Sequence, residues 1–249
     1  YWMIKSSLTV NEEMYVARPP LFSNVITFDH YIDLIYNTSF MHNVWNSFVI
    51  AAITTIICLA IGILGSYAMT RLKYPGRSFF RNSIIISYLM PTAVLFVPMY
   101  VFVSSLGFYD NKYALLIIYP TFVVPYCCYM LISYFKAIPY ALEEAALIDG
   151  CNRLQTLWYI IMPIALPGIA VVATFAFTMA WNEYLYAMIM TTSNVQKTAT
   201  VAISGFKYAD SAIWGRIMSA SVVCSLPVTL LYIVAQSMLI SGKYEGSVK

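Results

Sequence analysis

The sequence predicts an all-α integral membrane protein, a polytopic helical bundle, on three observations. Hydrophobic residues make up 61% of the 249 residues and charged residues 10%, where soluble domains average about 45–50% and about 25%. The apolar residues gather in uncharged stretches long enough to cross a bilayer, which takes roughly 20 helical residues for about 30 Å of hydrocarbon. The basic residues cluster between those stretches instead of being spread along the chain. A surface so poor in charge cannot all face water, so lipid must be part of its solvent. The net charge of +3 is too small to point to nucleic acid.

Five spans are legible, taken in order. Ser47 to Thr70 is uncharged and rich in Ile, Ala and Leu. Asn82 to Tyr109 is uncharged with Pro91 and Pro98 inside, and Tyr113 to Phe135 is uncharged with Pro120 and Pro125 inside. Leu154 to Asn182 is also uncharged, but Pro163 and Pro167 place the expected start of the span near Gly168 and its end near Met190. Ile217 to Ile240 carries Pro227. Prolines are tolerated in such helices because neighbouring helices and water satisfy the freed carbonyls, and they are expected to bend the spans.

Arg71, Lys73, Arg77 and Arg81 crowd the connection after the first span, whereas the next connection holds Lys112 beside Asp110. The excess of Lys and Arg marks the first connection as cytoplasmic. Alternation then makes 136–167 cytoplasmic, 191–216 external and the tail 241–249 cytoplasmic, around a membrane domain of 47–240. Residues 1–46 fall outside as a small ordered segment, with a short helix opening near Thr27 or Asp29. An external segment of that size needs a way across the membrane. One further helix before Tyr1 is therefore expected, with Tyr1-Trp2-Met3-Ile4 as its interfacial end.

The cysteines (Cys58, Cys127, Cys128, Cys151, Cys224) form no CxxC pair, and four lie in apolar runs. They read as small packing residues rather than metal ligands or disulfide partners. His30 and His42 have no partner at metal spacing, so no metal site is expected. Many of the 21 tyrosines sit at span ends, where an interfacial belt needs them.

The most informative segment is Ile138-Pro139-Tyr140-Ala141-Leu142-Glu143-Glu144-Ala145-Ala146-Leu147-Ile148-Asp149-Gly150. Pro139 suits a helix start, where its missing N–H is an orphan in any case. Glu143 and Glu144 follow in the first turns, where negative charge meets the positive end of the dipole. Gly150 can end the helix in a left-handed conformation. A second helix is expected from near Asn152 through Leu157, Trp158 and Ile161 to the prolines. A short amphipathic rod of this kind can seat in a groove of another protein or lie along the membrane interface.

Late in the fourth span comes Trp181-Asn182-Glu183-Tyr184. A carboxylate at membrane depth is costly and should face a partner helix or a wet cavity. Two roles stay open, a polar clamp between adjoining subunits or the lining of a wet path in which Trp181 offers a flat apolar face. The loop 191–216 is long enough to be functional, with turns at Ser193-Asn194, at Gly205 and along Lys207 to Ser211.

Glu144-Ala145-Ala146, three residues, Gly150, and then Ile160-Ile161-Met162-Pro163 and Ala165-Leu166-Pro167 resemble the cytoplasmic loop of ABC importer permeases. Phe96-Val97-Pro98-Met99-Tyr100, Leu106-Gly107-Phe108, Trp181-Asn182-Glu183-Tyr184, Trp214-Gly215 and the tail from Ser241 to Lys249 resemble the smaller permease of the maltose-type, binding-protein-dependent sugar importers. The resemblance runs from about Asn46 to the C-terminus. It implies the type I importer permease fold and half of an alternating-access path. The loop would be a coupling helix seated on a separate ATP-hydrolysing subunit, with Glu143, Glu144, Ala145, Ala146, Asp149 and Gly150 at the contact and Glu144 meeting a base of that subunit. Cys151 stands where Ala is more usual, which keeps a small side chain. Gly205, Lys207, Tyr208 and Asp210 would face an external solute-binding protein, and the tail would reach toward the ATPases. The implied partners are a second permease, two ATPase subunits, the binding protein, the bilayer and a sugar, with ATP and magnesium held on the ATPases and no cofactor on this chain. The implied location is the bacterial or archaeal inner membrane, multi-pass, with the C-terminus inside.

Other classes fit less well. No GxxxxGK[ST] phosphate loop is present, so the chain is not an ATPase by that route. An intramembrane enzyme would need nucleophiles, paired carboxylates or metal ligands at depth, and a stand-alone ion-coupled transporter would need an acid or His relay; Glu183 alone meets neither demand. Within the importers, a non-sugar solute such as a polyol phosphate or an amino acid is the alternative substrate.

Overall fold

The computed structural model describes residues 1–16, 20–21, 23, 25–208, 211–212 and 214–245, with backbone only at 207–208, 211–212 and 238–245. Its helices are α1 (Trp2–Ser7), α2 (Asn11–Met14), α3 (Asp29–Tyr36), α4 (Phe40–Arg71), α5 (Arg77–Leu89), α6 (Phe96–Ser105), α7 (Leu115–Ile118), α8 (Pro120–Ala137), α9 (Ala141–Ile148), α10 (Arg153–Thr156), α11 (Met162–Trp181), α12 (Leu185–Met190), α13 (Ala199–Ser204) and α14 (Trp214–Glu245). Short 3-10 turns at Thr92–Leu95 and Lys112–Ala114 precede α6 and α7, and a π-helical turn at Leu157–Ile161 joins α10 to α11. A two-stranded antiparallel ribbon pairs β1 (Lys207–Tyr208) with β2 (Ser211–Ala212).

Among the described residues, three stretches are long and apolar enough to span a membrane as single helices: Phe40–Arg71, Arg153–Trp181 and Trp214–Ser237. Two bent pairs complete the five, Arg77–Leu89 with Thr92–Ser105 at 92° and Lys112–Ile118 with Pro120–Ala137 at 42°. The first bend is a full break, much sharper than the bend expected from Pro91. Met90, the residue before that proline, is extended (ψ 127°), because the proline ring disfavours helical backbone ahead of it.

The fourth span departs from its expected limits. It starts at Arg153 rather than near Gly168, and it stops at Trp181 rather than near Met190. Pro163 and Pro167 lie inside the helical run. A proline ring clashes with the carbonyl four residues back, which for Pro163 is that of Tyr159. Tyr159 lies in the π turn, whose wider winding relieves such a clash. Asn182–Tyr184 then interrupt the helix before α12.

The chain forms two compact units. In the unit of residues 1–50, 99–115 and 181–230, Leu34, Phe40, Ala199 and Ala220 form the apolar centre. The side-chain amide of Asn43 donates to the carbonyls of Asn194 (2.8 Å) and Lys197 (3.0 Å), and that of Asn46 to those of Val195 (2.8 Å) and Lys197 (3.0 Å). These four bonds hold the start of the 191–216 loop on the first turns of α4. Asp110 accepts the backbone N–H groups of Thr192 (2.8 Å) and Ser193 (2.9 Å), and those bonds hold its carboxyl below the usual range. Thr9 bridges to Ile26, His30 Nε2 lies 2.9 Å from the Thr9 carbonyl oxygen, and Arg216 Nε donates to Asp33 at 2.6 Å. Gly215 is required by proximity, since a Cβ there would lie 2.3 Å from the His30 ring.

In the unit of residues 51–98, 116–180 and 231–249, α4, α8 and α11 share a core that includes Cys58, Val123, Cys127, Leu131, Phe135, Leu157, Ile161 and Val172. Small residues let α4 and α8 approach closely, as in other membrane bundles: a Cβ on Gly62 would meet Cys127 Cβ at 2.9 Å, and Ser66 donates to the Cys128 carbonyl at 3.1 Å. The five cysteines are free, and Cys58, Cys127 and Cys128 are buried.

Gly215→Ala is expected to lower the thermal midpoint of the purified protein by several degrees, since overpacking typically costs about 1–3 kcal/mol. A thermal melt with an unchanged midpoint would contradict the close approach of His30.

Candidate functional site

The rod singled out in the sequence is α9. Its end is built as the Gly150 reading requires. Gly150 has φ +88°, its N–H donates to the Leu147 carbonyl (3.2 Å), and the Cys151 N–H donates to that of Ala146 (3.0 Å). This pair of bonds is the Schellman arrangement. The next helix is fixed at once by a reciprocal cap. Asn152 Oδ1 accepts the Gln155 N–H (2.9 Å) and Gln155 Oε1 accepts the Asn152 N–H (2.8 Å). Two orphan donors are satisfied together, so the direction change between α9 and α10 is set by the Gly150 turn and this side-chain cap.

The two adjacent acids have opposite fates. Glu144 is exposed, together with Leu142, Ala145, Asp149 and Gly150, and Ile148 is 86% exposed. Glu143 is 0% exposed and Ala146 is buried beside it. This corrects the expectation that Glu143 and Ala146 lie at an intermolecular contact, because they form the inward stripe of the rod, one turn apart.

Arg71, the last residue of α4, receives Glu143. Its Nε lies 2.7 Å from Glu143 Oε1, and both side chains are almost wholly buried. Its Nη2 donates to the carbonyls of Phe135 (2.6 Å) and Ile138 (2.7 Å) at the end of α8. Tyr140 Oη donates back to the Arg71 carbonyl (3.1 Å), and the guanidinium lies 5.1 Å from the Tyr140 ring centroid. Arg153 supplies a second positive charge, with Nη1 4.0 Å from Glu143 Oε2, and Tyr67 Oη donates to the Arg153 carbonyl (3.3 Å). Burial pushes the Glu143 carboxyl up from its ordinary value, against the pull of Arg71 and then Arg153. Arg71 was read as one of four loop cations; it is instead a buried anchor. Arg77 is also a helix cap, donating through Nε to the Met69 carbonyl (2.6 Å) and through Nη2 to that of Thr70 (2.7 Å) at the end of α4. Between the end of α4 and the rod lies a groove of about 870 Å³, lined by Lys73, Tyr74, Tyr140, Glu144, Leu147 and Arg153.

In the Trp181–Tyr184 group, the indole and the carboxylate are both held by bonds within the chain. Trp181 is 2% exposed and donates its indole N–H to the Cys224 carbonyl (3.2 Å). It has no open face for a ligand, and that expectation is corrected. Glu183 accepts the backbone N–H groups of Tyr186 (3.0 Å) and Ala187 (3.1 Å). A carboxylate there satisfies the first turn of α12 and matches its dipole. Asn182 and Tyr184 are exposed beside it. In the 191–216 loop, Gly205 follows α13 in a turn, Lys207 and Tyr208 form β1, and Asp210 lies outside the described residues. Among the described residues no group of three or more His, Cys, Asp and Glu side chains comes together as a metal site.

Comparison with known proteins decides the family. Residues 59–241 match the family of binding-protein-dependent transport system inner membrane components. The chain belongs to that family. Relatives of this permease include the inner membrane ABC transporter permease protein YcjP of Escherichia coli, 36% identical across 99% of this chain and 89% of that one. The trehalose/maltose transport system permease protein MalG of Thermococcus litoralis is 30% identical across 100% of this chain and 90% of that one. The fold also matches a chain of a bacterial ABC transporter involved in the import of the acidic polysaccharide alginate, with a TM-score of 0.80 and 21% identity over 95% of this permease and 88% of that chain.

Two outcomes check this site. Arg71→Met leaves the Glu143 charge buried without its partner, which typically costs about 3–5 kcal/mol, whereas Glu144→Gln on the open face stays within about 0.5 kcal/mol; equal melting temperatures for the two variants would contradict the assignment. Glu183→Gln keeps an acceptor for the α12 amides and should retain solute uptake, while Glu183→Ala should lose about 1 kcal/mol of stability. Equal behaviour of the two in uptake and melting assays would remove the capping role.

Proposed function

We propose that this permease forms one half of the transmembrane path of an ATP-driven sugar importer, and that α9 is the element through which an ATPase subunit drives it. The observation that carries the reading is the division of α9 into a buried charged root and an open face. Glu143 and Ala146 tie the rod to the bundle, leaving Leu142, Glu144, Ala145, Ile148 and Asp149 for a partner. An exposed helix with apolar flanks and a central acid suits a groove that offers a base to Glu144. The rod is cytoplasmic in this reading, as the Arg71–Arg81 cluster implies, and the C-terminal tail lies on the same side.

The sugar assignment is supported by relatives whose described substrates are sugars: trehalose and maltose for the Thermococcus litoralis protein, trehalose for SugB of Mycobacterium tuberculosis and diacetylchitobiose for DasC of Streptomyces coelicolor. The remaining parts of the proposal are a second permease, two ATPase subunits that hold ATP and magnesium, and an external binding protein that contacts the 191–216 loop. The chain's own part is mechanical: it opens and closes the path, and the hydrolysis chemistry resides on its neighbours.

Glu144→Lys is expected to abolish sugar uptake and to release the ATPase on purification, while the permease still reaches the membrane. Gly150→Pro is expected to do the same, because proline lacks the N–H given to Leu147 and cannot take the positive φ. Normal uptake of radiolabelled sugar by either variant would defeat the proposal.

A further inference from the structure

Docking explains how a partner grips α9 but leaves open how the grip reaches the spans. We propose that Arg71 and Glu143 are the joint that makes α9, the end of α4 and the end of α8 move as one body, so that displacement of the rod becomes displacement of two spans. The inference rests on the reading of α9 as the ATPase contact. It assigns the pair a positioning role, separate from the contact itself.

The geometry supports a joint rather than a passive pair. A single guanidinium serves three elements: it belongs to α4, its Nη2 caps two α8 carbonyls at 2.6 and 2.7 Å, and its Nε meets the α9 carboxylate at 2.7 Å. Arginine can do this because its donors are fixed in a planar fork and its charge is permanent. A lysine carries one compact charge and cannot reach the carbonyls and the carboxylate in the same directions. The α9 side is equally committed, since Glu143 has no exposed surface through which water can replace Arg71. Tyr140, just ahead of the rod, closes the loop by donating to the Arg71 carbonyl at 3.1 Å. Sliding or rotating α9 against α4 would therefore separate a buried charge pair and uncap α8 at the same time. The neighbouring Glu144 lines the groove beside the rod and takes no part in these bonds.

The test uses the assembled transporter with its partner subunits in proteoliposomes. Nitroxide labels are attached at Lys73→Cys and Ala141→Cys, both exposed, in a Cys151→Ala background. The distance between them is read with and without ATP. A rigid joint predicts the same distance in both states. Glu143→Gln should then broaden the distance distribution and lower sugar taken up per ATP hydrolysed by at least about tenfold, the scale set by neutralising one member of a buried charge pair, while the ATPase still co-purifies. Arg71→Lys should behave alike, and the double variant should be no worse than the more damaging single, as for residues that act as a unit. The inference is overturned if the distance without Glu143→Gln changes between nucleotide states, or if Glu143→Gln keeps uptake per ATP at the original level. If Glu143→Gln fails to accumulate, the two-state distance decides alone. Failure of the ATPase to co-purify with the protein that lacks both pair substitutions would instead remove the reading of α9, and the joint with it.

Discussion

The buried contact between Arg71 and Glu143 is the constraint on which the seat of α9 depends. A charge pair taken out of water is a poor source of net stability, but it is expensive to break once made. That asymmetry suits the force-transmitting role proposed for α9. The pair costs the fold something to bury, and in return α9 has one permitted seat. The Phe135 and Ile138 carbonyls, where α8 ends, accept from the same guanidinium, so helix capping and electrostatic pairing are a single arrangement.

The same economy recurs through the molecule. Helices in a bilayer can break only where their polar groups are satisfied from within. At the Trp181–Tyr184 interruption, Glu183 supplies acceptors for the next helix and the Thr200 hydroxyl donates to its carbonyl at 2.9 Å. At the Met90–Pro91 break the chain turns through 92°, and a 3-10 turn restarts the helix at once. Near Pro163 a π turn absorbs the ring. At Trp181–Tyr184 the irregularity is answered by local acceptors, and near Pro163 by a wider turn.

Much of this was readable from residue order alone, for physical reasons that can be stated. Uncharged stretches of twenty or more residues have few options besides lipid or a deep core, so the spans were legible. Gly150 was legible because a left-handed helix end leaves few alternatives to glycine. The different fates of Glu143 and Glu144 were not, because adjacent acids on a helix face different ways and the deciding partner, Arg71, is 64 residues from the α8 carbonyl it also caps. A faint signal existed: Glu143 and Ala146 are three residues apart and so share a face, and Arg71 stands at the very end of a span. The limits of the fourth span were not legible, because a proline is favoured at a helix start and here a wider turn accommodates Pro163 within the helical run. Trp181 was misread for a different reason, since composition cannot tell a buried aromatic ring from an exposed one.

In the proposed function this permease works mechanically, with the reactive chemistry on neighbouring chains and one exposed helical face as the point of entry. The most direct measurement is a cross-linking scan of the assembled transporter, with a photoreactive residue placed in turn at each position from 142 to 149. The account predicts adducts with the ATPase from 142, 144, 145, 148 and 149 and silence from 143 and 146. Absence of ATPase adducts along the whole rod, or adducts as strong from 143 and 146 as from 144 and 148, would contradict it.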